Sequence, residues 1–365
     1  MSSALNSKKT VVISTVVFIF SLMSIESFAG KGWELVSQLP TKRLDFTTAV
    51  VDDKIYLIGG SLYEDAKLGK RIPGPFGLSL VEMYDPERNR WQRIANMPMP
   101  RTGAKAAVVN DTIYVFGGFS GKNNNRANMK FPVVVDAYDS QTGTWARKQD
   151  MPTPWLNFGI GTVAGKIYLI GGLNIDERTD SVEIYDPAAN TWAKGPKMPT
   201  RRDPGGMVVV NNRIYVIGGY GWPMDFRGGP YLATIEEYNP ITHQWQQKND
   251  MLDIKLDFSP VVIRNEIYLI GGFIWEDALP EYLATVDVYN PQTQVWHNIP
   301  ELPTPINPSG TAAVNGKIYV FGGYEEDREY STDVLVYDTG FRSVEAVGKL
   351  PVRWGTLKME LQSQP

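Results

Sequence analysis

Six near-copies of one hexapeptide constrain this chain more than any other feature. They run Ile55 to Gly60, Ile113 to Gly118, Ile167 to Gly172, Ile214 to Gly219, Ile267 to Gly272 and Ile318 to Gly323, each reading Ile, Tyr, an aliphatic residue, Ile or Phe, Gly, Gly. Their first glycines stand 58, 54, 47, 53 and 51 residues apart. A period of this length implies a stacked or closed repeat array, so the 365 residues are read as one repeat domain although length alone would allow two.

The rest of the cycle is equally regular. Before each Ile-Tyr pair lies a short apolar segment and a tight turn, such as Asn110-Asp111, Asn211-Asn212 or Asn315-Gly316. These residue types accept the positive φ of a two-residue hairpin, which predicts strands a and b. A third strand, c, ends in Tyr84, Tyr138, Tyr185, Tyr238, Tyr289 and Tyr337, each followed by Asp or Asn. Seven residues after the first five of these stand Trp91, Trp145, Trp192, Trp245 and Trp296, which mark strand d. Four antiparallel strands repeated six times predict an all-β, six-bladed β-propeller.

The glycine pair with the fixed Tyr-to-Trp interval resembles the kelch repeat, from about Trp33 to Pro351. The Tyr and Trp residues are assigned to the core between blades. Ring closure has two candidates: strand 33–37, which carries Trp33, and segment 343–347, where Val344 takes the Trp position. The N-terminal strand is preferred because it supplies the missing Trp. The propeller is then placed at 30–351 and a C-terminal appendage at 352–365.

Lys8 and Lys9 precede an uncharged apolar run, Thr10 to Ile25, that ends in Ser27-Phe28-Ala29. This pattern predicts a secretory signal peptide over residues 1–29 and hence a secreted or periplasmic protein with no later membrane span. The net charge of −4, with no basic stripe, argues against nucleic acid as a partner. Cysteine is absent although the expected compartment permits disulfides. With no Cys and only His243 and His297, the copper chemistry known in one kelch enzyme, galactose oxidase, is excluded. Thiol and Ser-His-Asp catalysis are disfavoured too, and neither a metal nor a cofactor is expected.

In a propeller of this kind the b–c and d–a connections emerge on one face. The long b–c segments, 61–79, 119–132, 220–232 and 273–284, locate variable loops there, and function is sought on that face. All six tyrosines outside the repeat positions fall in b–c loops. Candidate ligand-binding residues are Arg43, Arg101, Arg201 and Arg202 near the channel mouth, with Trp155, Trp222, Asp225 and Trp275. Arg here suits bidentate capture of a carboxylate, and the indoles suit a sugar or peptide surface. An Arg in this d–a position is also a common structural residue of kelch repeats.

The expected function is non-enzymatic binding of a protein or glycan by a monomer. The alternative is a cofactor-independent epimerase resembling the exported kelch N-acetylneuraminate epimerase. It would use Arg43, Arg101 or Arg201 for the substrate carboxylate and an acid and a base among Asp45, Asp203 and Asp257. Binding predicts that Trp155, Trp222 and Trp275 are exposed and close together; catalysis predicts a deep pocket where Arg and carboxylate converge.

Overall fold

The computed structural model describes residues 32–341 apart from 66–69, 72–76, 122–129, 174–176, 224–228, 277–278 and 326–329. The expected signal segment 1–29, the closure candidate 343–347, the appendage 352–365 and Asp225 lie outside the described residues. The chain is an all-β, six-bladed propeller. Blade 1 shows the pattern: strand a is Thr47–Val51, b is Lys54–Ile58, c is Val81–Asp85 and d is Arg90–Arg93, paired antiparallel in that order.

Each a–b turn places both of its central residues at positive φ, as at Asn110 and Asp111 or Asn211 and Asn212. That is the hairpin geometry that suits strand twist. The c–d turns are closed by the Asp or Asn after the strand-c Tyr. Asp85, Asp139, Asp186, Asn239 and Asn290 each accept from the second and third following backbone N–H groups.

Apolar residues of neighbouring blades form one cluster at each of the six blade interfaces. Tyr114 and Phe116 of blade 2 meet Ile167, Leu169 and Tyr185 of blade 3, for example, and Phe321 of blade 6 meets Tyr84 of blade 1. The a strands of adjacent blades touch all round the axis. Crowding there demands small residues: a Cβ on Gly161 would lie 2.7 Å from the Val209 side chain.

The strand-d tryptophans were expected in the core, and the structure modifies this. Each ring packs on its strand-c Tyr with centroids 4.7–5.3 Å apart, yet all six are half-buried. Their second role is polar. Each Nε1–H crosses to the preceding blade or its exit loop: Trp145 to Ala95 O, Trp192 to Gln149 O, Trp245 to Pro196 O, Trp296 to Asp250 O, and Trp91 to Ser37 Oγ. The indole thus covers apolar surface with its body and latches blade to blade with its tip.

Blade 6 draws on both ends of the array. Strands a, b and c are Ile306–Val314, Lys317–Glu325 and Tyr330–Asp338, and the outer position is filled by Glu34–Gln38. Glu34 pairs with Val336 and Gln38 with Asp333. Trp33 packs on Tyr337 at 5.3 Å and donates to Pro300 O, as the other tryptophans do in their blades.

Candidate binding face

The glycine pairs shape the face from beneath. Gly60 has φ +99°, and a Cβ there would lie 2.6 Å from Leu44 O, which only glycine avoids. Its N–H donates to Arg101 O at 3.0 Å; Gly172 likewise holds Arg202 O and Gly272 holds Ile306 O. These three pairs thereby fix a d–a residue of the following blade. The residues at this d–a position, in blade order, are Arg43, Arg101, Trp155, Arg202, Lys255 and Ile306, all buried.

Their side chains turn inward, not toward a ligand. Arg43 meets Glu82 at 3.2 Å, Arg101 meets Asp136 at 2.7 Å, Arg202 meets Glu236 at 3.0 Å, and Lys255 pairs with Asp287. Further donor capacity goes to carbonyls: Arg101 reaches Val134 O at 3.0 Å and Arg202 reaches Thr234 O at 2.9 Å. Burial pulls the Arg43 and Arg101 guanidinium groups down to about 10 while their carboxylates oppose the shift, so both stay charged at neutral pH. In blade 3 the Trp155 indole takes the Arg place and donates to Glu183 Oε1 at 3.3 Å. In blade 6 both positions are apolar, and Ile306 and Leu335 share one cluster.

The expectation that Arg43, Arg101, Arg202 and Trp155 contact a ligand is therefore corrected. They are buried cross-braces, paired within their own blades, with the Nε atoms of Arg43, Arg101 and Arg202 left without a hydrogen-bond partner among the described residues. The sequence did carry the signal: the residue two before the strand-c Tyr is Glu82, Asp136, Glu183, Glu236 or Asp287 in five blades and Leu335 in the sixth.

Arg201, Trp222 and Trp275 lie at the surface. Arg201 is paired with Glu177 at 3.2 Å and lies over the Trp222 ring at 5.9 Å, with Trp222 exposed. Trp275 stands on the b–c hairpin of blade 5, Phe273–Glu276 with Leu279–Tyr282, where its ring meets Phe273 edge-on at 5.7 Å. Trp155, Trp222 and Trp275 thus occupy three different settings, and only the last two are exposed. Several other loop aromatics pack on each other, including Tyr220 on Tyr231 and Tyr324 on Tyr330.

Two of the cavities lined by described residues open on this face. The first, about 520 Å³, has walls from Leu252, Ile254, Ile274, Trp275 and Leu283 and a floor of Lys255, Thr285, Asp287 and Asn298. It lies over the one brace built from Lys, whose ammonium reaches Thr285 Oγ1 at 2.9 Å but fills less space than a guanidinium. Leu252, Ile254 and Trp275 on its rim are 43–59% exposed, an unusual concentration of large apolar side chains in water.

The second cavity, about 260 Å³, lies at the mouth of the central channel. Every blade supplies a polar group to it: Asp45, Lys105, Asn157, Asp203, Asp257 and Asn307 in blade order. Asp45, Asn157 and Asp257 sit at positive φ, which turns each d–a loop toward the axis. Burial raises the Asp203 carboxyl to about 7; the hydrogen bond from Asn157 at 3.2 Å opposes this and the charge of Asp257 adds to it. Asp257 is exposed at the channel mouth, yet the crowded throat solvates its charge poorly and raises it to about 6, with Lys105 opposing and Asp45 adding. The three carboxylates named for the epimerase reading therefore converge, but Arg43, Arg101 and Arg201 do not line the cavity with them.

A stability consequence follows. Because the folded-state pKa of Asp203 lies above its unfolded value of 3.8, its contribution is fully present below about pH 4 and is lost as pH rises through about 7. Asp203→Asn is expected to stabilise the fold at pH 8 by on the order of 2 kcal/mol and to flatten the pH dependence. Thermal melts from pH 4 to 8 read this directly, and an unchanged slope in the variant would refute it.

Comparison with known proteins places these features in context. The KLHDC2/KLHL20/DRC7 Kelch-repeats domain model matches residues 45–272, and the Kelch motif model matches residues 255–303 and 305–351. Kelch-like protein 35 of Mus musculus is 25% identical over 315 residues, covering 86% of this chain and 41% of its own length. Kelch-like protein 24 of Rattus norvegicus is 32% identical over 283 residues, covering 76% of this chain and 42% of its own. The chain thus spans less than half the length of these curated relatives. The solved structure of YjhT superposes with a TM-score of 0.67 at 15% identity, over 81% of this chain and 95% of that one, which supports the shared fold.

Proposed function

Since the chain belongs to the kelch-repeat family, whose propellers typically serve as protein-interaction modules, we propose that it binds a partner polypeptide on the b–c and d–a loop face. The observation that carries this reading is the 520 Å³ groove with exposed Leu252, Ile254 and Trp275 on its rim. Interfaces draw most of their energy from a few desolvated aromatic and aliphatic anchors, and an indole beside an apolar trough supplies one. The occupant is a protein segment carrying a bulky apolar side chain for the trough. The apolar N-terminal segment 10–25 of the sequence directs the search for that partner to an exported fraction.

The test is capture on immobilised protein, with wild type and Trp275→Ala compared side by side. Loss of a captured species in the variant, with affinity falling about 30-fold or more, is the expected result. Equal capture by both forms would remove the groove from the interface.

A second reading, proton-transfer catalysis on a sugar, draws on Asp203 and Asp257, whose raised pKa values suit acid and base roles near neutrality. Exchange of N-acetylneuraminate anomers, followed by NMR with and without protein, decides it. A rate equal to that in buffer would end this reading.

A further inference from the structure

The channel mouth is separate from the groove and shares no lining residue with it. Its charges are incompletely used inside the protein. Asp203 is 5% exposed; Oδ2 accepts from Asn157, and no other hydrogen bond reaches its carboxylate among the described residues. Asp257 accepts no hydrogen bond and Lys105 forms no ion pair among the described residues, although each feels the other's charge. Asp45, by contrast, interacts with Ser61. Three carboxylates therefore face one ammonium inside a closed ring of six blades.

From this arrangement we infer that the channel mouth is a binding site for a protonated primary amine, with the ammonium held by Asp203 and Asp257 and the remainder of the ligand oriented by the amides of Asn157 and Asn307. An ammonium carries three donors and no acceptor, and it meets here carboxylate oxygens with unfilled acceptor capacity. Low solvation in the throat strengthens the attraction. Lys105 lies among the same acids and repels a second positive charge, so the site favours a monoamine whose other end carries acceptors. The same excess of negative charge disfavours an acidic sugar. The amine has two possible sources: a small free amine such as an amino sugar, or a lysine side chain of a docked polypeptide. The cavity of about 260 Å³ admits either.

Calorimetric titration of the full propeller distinguishes them. The probes are glucosamine for the free amine and Nα-acetyl-lysine N-methylamide for the side chain, with N-acetylglucosamine as the neutral control and N-acetylneuraminate as the acidic one. One or both amines are expected to bind, neither control is expected to, and Asp257→Asn is expected to weaken binding tenfold or more. Asn tolerates the positive φ of 49° at this position, and an unchanged far-ultraviolet spectrum confirms that the variant folds. Binding should strengthen from pH 5 to pH 8 as Asp203 and Asp257 ionise; the other titratable groups that face them are Asp45, Lys105, Arg178, Tyr220 and Tyr324. Absence of heat with both amines, equal affinity in Asp257→Asn, or tighter binding of either control would overturn the assignment. Such a result leaves the groove reading standing, because that reading is tested with Trp275→Ala and a partner protein.

Discussion

Arg101→Ala is expected to destabilise the propeller by about 3–5 kcal/mol, the largest effect of any single exchange on the loop side of the molecule. The guanidinium is fully buried, lies 2.7 Å from Asp136 and donates to Val134 O, so its removal strands a carboxylate in a site that already raises the Asp136 pKa by burial. The deficit should shrink from pH 8 to pH 5, because the stranded Asp136 takes up a proton that wild type holds less readily. Blade 6 supplies the control. It carries Ile306 and Leu335 where blade 2 carries Arg101 and Asp136, so Arg101→Ile combined with Asp136→Leu should recover more than half of the loss. Urea unfolding followed by tryptophan fluorescence measures all three variants. A single variant within 1 kcal/mol of wild type would mean that the pair is not a brace.

A chain beginning at Leu39 is the second case, and here the expected loss is on the order of 5 kcal/mol, or roughly 10 °C or more in melting temperature. It lacks the outer strand of blade 6, Glu34–Gln38, and with it the Trp33 indole on Tyr337 and the bond to Pro300 O. Two neighbouring latches fail together, because the Trp91 Nε1–H donates to Ser37 Oγ of the same strand. Addition of a peptide spanning residues 32–40 should restore part of the loss in calorimetry. An unaltered melting temperature in the shortened chain would show that closure contributes little.

The fold was legible because its determinants are local and repeated. The Gly pairs, the turn residues and the seven-residue Tyr-to-Trp interval each act within a few positions, and Trp33 stood out as a Trp with no Tyr before it while Tyr337 lacked its Trp. Loop length singled out the b–c and d–a face as the candidate. Which residues of that face meet solvent was not legible. Arg43, Arg101 and Arg202 read as ligand contacts because their partners lie 39, 35 and 34 residues further on, at Glu82, Asp136 and Glu236. Asp45, Asp203 and Asp257 meet only because the ring closes around the axis, and no spacing along the chain encodes that distance. Exposure of Trp275 depends on the hairpin Phe273–Glu276 with Leu279–Tyr282, which lifts the indole out of the blade.

The closing strand also sets a clock. Glu34 leaves the ribosome early, but its partner Val336 is made about 300 residues later, which at about 5–20 residues per second is a delay of roughly 15–60 s. Until then blade 6 has no outer strand and the ring stays open, whatever the earlier blades have achieved. The nascent chain therefore passes most of its synthesis with an unpaired strand at one end, a state in which a chaperone can hold it before the circle shuts.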